Sequence, residues 1–377
     1  MEIYLDNAAT SHPKPASVLA AVHEALTMLN GNPGRSGHSR ALAGSRLMLE
    51  TRESLAALIN APQPECIAFC FNCTDALNTA IKGTLNVGDH VICSSLEHNS
   101  VLRVLEELRS RNLITYTVLP PEADGMINPE RFSAALTAKT RLCILTHASN
   151  VTGVIQPVAA VGRIMHMHGV RYLIDGAQAI GHIPVDVQAL RCDLYAFPGH
   201  KGLLAPQGTG GLYIAPRTPL RPFREGGTGS SSDSIKQPTE RPECFESGTV
   251  NLPGIAGLLA GVRIVQENQS NHRTRERELT ELLLDGLLAL PDADVYTPRC
   301  ASGCVGVVSF NIASLSSSET ADILSQHGIA VRGGLHCAPE AHRHLGTLAR
   351  GTVRASISWQ NTPEDIHAFL TVLRSLV

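Results

Sequence analysis

The chain has 377 residues, 43% of them hydrophobic and 17% charged, with a formal net charge of −3; that is long enough for a large core and usually for two domains. The near-neutral charge gives no reason to expect nucleic acid as a partner. No apolar run reaches membrane-spanning length, and acids stand in Met1 to Ser11 where a signal peptide would be basic and then apolar, so a cytoplasmic protein with no membrane partner is the expectation.

Met1 to Pro15 is polar and punctuated by proline, with a short β-like opening. Apolar residues then recur at helical spacing (Val18, Val22, Leu26, Leu29), and Asn30 to Gly34 ends that helix. A loop with Arg35, Ser36, Gly37 and His38 precedes a second helix over 41–59. From 67 to 214 the text alternates: apolar runs at 67–71, 90–94, 114–118, 141–146, 170–174, 194–197 and 211–214 are separated by helical segments near 75–85, 100–111 and 158–168. Strands apolar throughout, alternating with helices, predict an α/β fold with a mainly parallel central sheet covered on both faces. A Gly, Ser and Pro-rich stretch over 216–249 reads as a lid, an interface segment or a disordered one. A long helix over 253–290 follows, whose charge run Arg273 to Glu278 reads as a solvated face. The remainder predicts a smaller C-terminal α+β domain: strand 305–312, helix 318–326, strand 329–332, strand 351–358 and a helix over 363–376 capped by Thr362.

Ten cysteines in a chain this long do not make a disulfide framework. Cys66, Cys70 and Cys73 surround a buried-strand pattern and read as small apolar residues rather than metal ligands, as do Cys300 and Cys304. No metal is expected.

Two neighbouring segments carry the chemistry. An apolar strand delivers Asp175 at its end, in Leu173-Ile174-Asp175-Gly176-Ala177-Gln178, and another delivers His200 and Lys201, in Phe197-Pro198-Gly199-His200-Lys201-Gly202. A lysine amine to combine with an aldehyde, and a carboxylate to keep a pyridine nitrogen protonated, are what pyridoxal 5'-phosphate requires. In sheets of this kind ligands gather at the carboxyl ends of the strands, where Thr74, Asp75, Glu97, His98, Asn150 and Gln178 also fall. Thr74 and Asp75 open a helix, a place suited to a phosphate.

With Tyr4-Leu5-Asp6-Asn7-Ala8-Ala9-Thr10 at the start and Arg332-Gly333-Gly334-Leu335-His336-Cys337 near the end, the chain resembles, along essentially its whole length, the cysteine desulfurase and selenocysteine lyase group of class V aminotransferase-fold enzymes. The resemblance implies fold type I of the pyridoxal-phosphate-dependent transferases. It also implies a large cofactor-binding domain over 16–262 and a small domain made of 1–15 and 263–377. By the same resemblance His98 stacks on the cofactor ring and transfers protons, and Asn150 touches cofactor and substrate. Gln178 then bonds the cofactor's phenolic oxygen, Thr74, His200 and Thr249 hold its phosphate, and Asp75 is a further cofactor-binding residue. Thr249 is expected from a second subunit, which implies a homodimer with shared active sites. Arg354, an arginine within an apolar strand, suits a substrate carboxylate, with Arg332 and Arg35 as further contacts and His38 beside Arg35.

One departure stands out: the position two before His200 usually carries a hydroxyl for the phosphate, and here it is Pro198, which has neither hydroxyl nor N–H. Cys337 selects the reaction. It follows a Gly-Gly turn, where a thiol is exposed and a neighbouring imidazole or arginine favours thiolate. The implied activity is conversion of L-cysteine to L-alanine, with the sulfur left on Cys337 as a persulfide for an acceptor protein. The alternatives are a selenocysteine lyase acting on L-selenocysteine, another class V elimination or transamination, or a subunit that mainly binds a sulfur carrier.

Overall fold

Strand and helix alternate through the first part of the chain because its apolar residues switch between runs that bury both faces of a strand and stripes that bury one face of a helix. The computed structural model describes residues 2–29, 31–34, 36–229, 233–299, 303–312 and 314–376. In chain order the elements begin with β1 (Ile3–Tyr4), α1 (Ala16–Thr27), α2 (Ser39–Leu58), β2 (Ile67–Cys70), α3 (Cys73–Thr84), β3 (Asp89–Ser94), α4 (Asn99–Ser110) and β4 (Ile114–Leu119). They continue with α5 (Pro129–Ala134), β5 (Thr140–Thr146), α6 (Val158–His168), β6 (Arg171–Asp175), β7 (Leu194–Pro198), β8 (Gly210–Ile214) and α7 (Leu252–Leu288). The last are β9 (Ala293–Val295), β10 (Val307–Ile312), α8 (Ser317–Gln326), β11 (Ile329–Ala330), β12 (Arg332–Gly334), α9 (Pro339–His344), β13 (Thr352–Ser356) and α10 (Pro363–Arg374).

Seven strands form the central sheet in the order β2-β8-β7-β6-β5-β3-β4. The run from β7 through β6, β5 and β3 to β4 is parallel, and β8 lies antiparallel to both β7 and β2. Both faces are covered. Ile92, Cys143, Leu145, Ile174 and Phe197 meet α2, α6 and the first part of α7 on one side. Val91, Ile144, Leu173, Leu194 and Ala196 meet α3 and α4 on the other. Truncating one of these fully buried aliphatics to Ala costs about 2–5 kcal/mol.

A four-stranded antiparallel sheet, β12-β13-β10-β9, packs with α8 and α10 on a separate core around Phe310, Val353, Leu370 and Leu373. Helix α7, 37 residues and therefore about 55 Å long, joins the two: Ile255, Leu258 and Val262 enter the first core, and Leu279, Leu283 and Leu287 the second.

Several expectations needed correction. Asn72 caps α3, its Oδ1 accepting from the Asp75 N–H at 2.9 Å, so that the helix opens at Cys73, one residue before Thr74. Helix α9 directly follows the Cys337 turn, and α5 and β9 were unforeseen. The charged run on α7 is not all solvated: Glu276 is 5% exposed and pairs with His182 Nδ1 at 3.0 Å. Thr362 does cap α10, in a reciprocal box with Asp365. Cys300 and Ser230 to Ser232 lie outside the described residues.

Candidate active site

Four neighbouring parallel strands end on one side of the sheet, and each hands a polar residue to the same cavity of about 230 Å³. After β3 comes His98, after β5 Asn150, at the end of β6 Asp175, and after β7 His200 and Lys201. Gln178, Thr74, Arg332 and Arg354 complete its wall. Gly176 permits the turn that releases the chain after Asp175, since a Cβ there would stand 2.2 Å from the Tyr195 ring.

Asp175 is 3% exposed. Its Oδ1 accepts from the Ala177 N–H at 2.9 Å and from the Cys73 thiol at 3.4 Å. Burial raises its pKa, while the Ala177 N–H and the Lys201 ammonium pull the other way. Lys201 has its pKa lowered by burial and by Arg354. The turn carrying it is fixed from outside: the His200 carbonyl accepts from Ser11 N at 3.0 Å, Thr10 Oγ1 at 3.1 Å and Lys14 Nζ at 2.9 Å. The N-terminal segment therefore acts as a clamp on the lysine turn, a role that its local sequence does not advertise.

His98 caps α4: its Nδ1 accepts from the Ser100 N–H at 3.0 Å, so in the neutral ring the proton sits on Nε2. Burial, then Lys201 and Arg332, lower its pKa to about 4. The adjoining Glu97 is fully buried, with Oε1 accepting from the Thr146 N–H at 2.9 Å and the Ser94 hydroxyl at 2.5 Å. This ties the His98 turn to the end of β5. Asn150 donates through Nδ2 to the His336 carbonyl at 2.6 Å, and Gln178 through Nε2 to the Ala8 carbonyl at 3.0 Å.

Arg354 is 1% exposed and already engaged, through Nη2 with Asp6 at 2.9 Å and through Nη1 with the Asn150 carbonyl at 3.2 Å. Its Nε is buried without a partner among the described residues. Asp6 was the missed member of this group; it lies in the opening motif, but nothing local links it to a strand near the other end of the chain.

Not every expected residue converges. Asp75 turns away, its Oδ2 accepting from the Phe71 N–H at 3.0 Å and from Arg224 at 3.1 Å. Thr249 lines a different cavity with Phe69, Arg224 and Glu246. Arg35 lies outside the described residues, and His38 caps α2 through Nδ1. Cys337 lies just beyond the cavity, in a groove of about 730 Å³ with Leu102, Arg103, Leu335 and Glu340. Arg332, which lines the cavity, reaches the Cys337 Sγ at 3.7 Å. Both His336 (φ 48) and Cys337 (φ 58) hold left-handed backbone, a conformation costing about 1–3 kcal/mol per non-glycine residue. The His336 imidazole is no source of positive charge for the thiol: its Nε2 faces the Thr352 carbonyl at 3.0 Å, and burial and Arg354 hold its pKa down to about 2.

These groups match what pyridoxal phosphate asks of a site. There is an amine with lowered pKa, a buried carboxylate whose Oδ2 accepts no hydrogen bond from the described residues, and a neutral imidazole on the same wall. His200 adds a buried Nδ1 that has no partner among the described residues, and the start of α3 adds backbone N–H groups beside Thr74.

The family model for Aminotransferase class-V matches residues 3–369. The chain is 38% identical to a probable cysteine desulfurase of Methanothermobacter thermautotrophicus, covering 97% of this chain and 92% of that protein. It is 34% identical to a cysteine desulfurase of Escherichia coli, covering 99% and 93%. Among solved structures it superposes on an apo cysteine desulfurase from Thermococcus onnurineus with a TM-score of 0.93 at 33% identity, covering 100% of this chain and 94% of the other. The Escherichia coli cysteine desulfurase CsdA in its S-sulfonic acid form gives 0.88 at 30% identity, covering 99% and 94%.

Proposed function

The chain belongs to the class-V aminotransferase family, and on that premise we propose that it is a pyridoxal-phosphate-dependent cysteine desulfurase that converts L-cysteine to L-alanine and keeps the sulfur on Cys337. The observation that carries this reading is the reach of Arg332: it lines the cavity of Lys201 and Asp175 and also contacts the Cys337 Sγ at 3.7 Å. The thiol therefore stands one side chain away from the place where a substrate would be held.

Pyridoxal phosphate, when bound, supplies an aldehyde for the substrate amine and a ring that withdraws electrons from the substrate's α-carbon. Lys201 is the residue for that aldehyde and the base for the α-proton, since burial and Arg354 favour its neutral amine. Asp175 Oδ2, which accepts from no described residue, would take the hydrogen of the cofactor's ring nitrogen, and His98, on the same cavity wall, would have its Nε2 proton available for transfer. Thr74, His200 and the first turn of α3 would hold the phosphate, Gln178 would face the phenolic oxygen, and Asn150 would stand beside the substrate. Arg354 and Arg332 orient the substrate carboxylate. Cys337 Sγ, as thiolate, attacks the substrate sulfur: an S–S bond forms, the Cβ–S bond breaks, and the carbon keeps the electron pair and takes up a proton, leaving alanine and a persulfide.

The same proposal takes 16–262 as the large domain, and 1–15 with 263–377 as the small one. It makes the working unit a homodimer in which Thr249 completes the neighbouring subunit's phosphate site, in keeping with its position away from its own cavity. Phe71 and Phe223, 45% and 40% exposed, are apolar surface that such a neighbour would cover. An acceptor protein would take the sulfur from the Cys337 groove. No helix of the described residues is long and apolar enough to cross a membrane, and the cytoplasm is the proposed compartment.

A selenocysteine lyase is the second reading, favoured by the position of Cys337 outside the cavity wall, since selenium leaves more readily and depends less on a thiol. Alanine release from L-cysteine and from L-selenocysteine, by the wild type and Cys337→Ala, separates the two. Loss of cysteine turnover in the variant supports the desulfurase. Turnover of selenocysteine alone, retained in the variant, supports the lyase, and no alanine from either overturns both.

A further inference from the structure

We propose that Cys73 is a positioning residue for Asp175: its thiol and the Ala177 N–H occupy Oδ1 together, so that Oδ2 is the oxygen presented to the cofactor's ring nitrogen. The inference rests on reading the cavity as a pyridoxal-phosphate site.

Three observations lead to it. Cys73 is the first residue of α3, which packs on the opposite face of the sheet from α6 and α7, so the thiol approaches Asp175 from a different element than the Ala177 N–H does. Both donors converge on one oxygen, at 3.4 Å from sulfur and 2.9 Å from nitrogen, and no described residue donates to the other. Cys73 and Asp175 both line the cavity, which leaves the unengaged oxygen as the one available to a ring bound there.

The chemistry is consistent with a lasting donor. Burial, and next Asp175 itself, push the Cys73 thiol well above the ordinary cysteine range, so it keeps its proton through neutral pH. That hydrogen bond in turn lowers the Asp175 pKa against the effect of burial, and an anionic Asp175 is what a protonated ring nitrogen needs. The cavity thus contains a sulfur that does not compete as a nucleophile with Cys337 in the neighbouring groove. As a sequence feature Cys73 reads as a small apolar residue; its tertiary contact is polar.

The test is a titration of pyridoxal phosphate into the apoprotein of wild type, Cys73→Ala and Cys73→Ser, giving a Kd for each. Removing a donor to a buried carboxylate should weaken binding roughly five- to tenfold in Cys73→Ala, and the serine hydroxyl should restore it to within about twofold of wild type. Should Cys73→Ala not fold, as judged by circular dichroism, Cys73→Val fills the same space without a donor and takes its place. Binding by Cys73→Ala as tight as wild type overturns the inference, and so does a serine variant as weak as the alanine one, which would assign the effect to packing. A wild-type apoprotein that does not bind pyridoxal phosphate overturns the underlying reading of the cavity, and this inference with it.

Discussion

Arg354 and Asp6, 348 positions apart in the chain, meet at 2.9 Å through Nη2 and Oδ1. The pair fixes the proposed carboxylate-binding arginine against the N-terminal segment, the same segment that clamps the His200 carbonyl. A substrate carboxylate arriving at Arg354 thus meets a guanidinium that is already oriented, with one face engaged.

Asp6→Ala should therefore act twice. It leaves a buried guanidinium short of its charge partner, which should lower folding stability by about 2 kcal/mol, less than for a fully buried pair because Asp6 keeps some exposure. It should also raise KM for cysteine more than it lowers kcat. Urea denaturation together with steady-state kinetics checks both, and an unchanged KM would remove Asp6 from substrate positioning.

Borohydride reduction of the cofactor-loaded protein should fix the cofactor on a single lysine. Peptide mass mapping of the wild type should place the added mass on the Lys201 peptide, and Lys201→Ala should show none and lose alanine release by at least about 1000-fold. A label on Lys14, the other lysine of this region, would reassign the site.

Glu97 gives a pH-dependent prediction. Burial pushes its carboxyl up to about 8, against an ordinary value of about 4.3 in the unfolded chain. Between those values the folded chain holds a proton that the unfolded chain has released, so stability falls as pH rises through this window. Glu97→Gln keeps an oxygen for the Thr146 N–H and the Ser94 hydroxyl but cannot ionise. Its urea midpoint should match wild type near about pH 5 and exceed it near about pH 8. A constant difference across that range would show that Glu97 does not titrate as described.

The buried pair of Arg52 with Glu246 supports the segment that leads into Thr249. Glu246 Oε1 accepts from both Arg52 Nη1 and the Phe69 N–H at 2.6 Å, and the Arg52 side chain is 9% exposed. Glu246→Ala should cost about 3–5 kcal/mol of stability by stranding a buried guanidinium. Thr249→Ala, by contrast, should fold normally and weaken pyridoxal phosphate binding several-fold in a dimer of twice 40.2 kDa. Unchanged cofactor affinity in that dimer would separate Thr249 from the phosphate site.

Legibility in the sequence followed the range of the interaction. The strands of the central sheet read correctly to within a residue or two because burial on both faces leaves an unbroken apolar run. Thr362 read correctly as a cap because the cap and its partner Asp365 are neighbours. Asn72 and Thr74 are both competent N-cap residues, and only the backbone path makes Asn72 the cap of α3. Helices α5 and α9, six residues each, are too short to show a period. Asp75 reads as a cofactor-binding residue from its place at a helix start, and only the structure shows its carboxylate accepting from the Phe71 N–H and Arg224.

By itself the sequence determined the α/β alternation, the family, and the delivery of Asp175, His98, Asn150 and Lys201 to the carboxyl ends of strands, because each of these is written in a local run of residues. Tertiary structure alone decided which side chains face the cavity and which find other partners: Arg354 with Asp6, Glu276 with His182, Cys73 with Asp175, and Cys337 in a groove of its own. Those pairings depend on where separate elements cross. A buried polar group takes whichever partner the packing brings within hydrogen-bond reach, because leaving it unpaired costs more than any local preference can return.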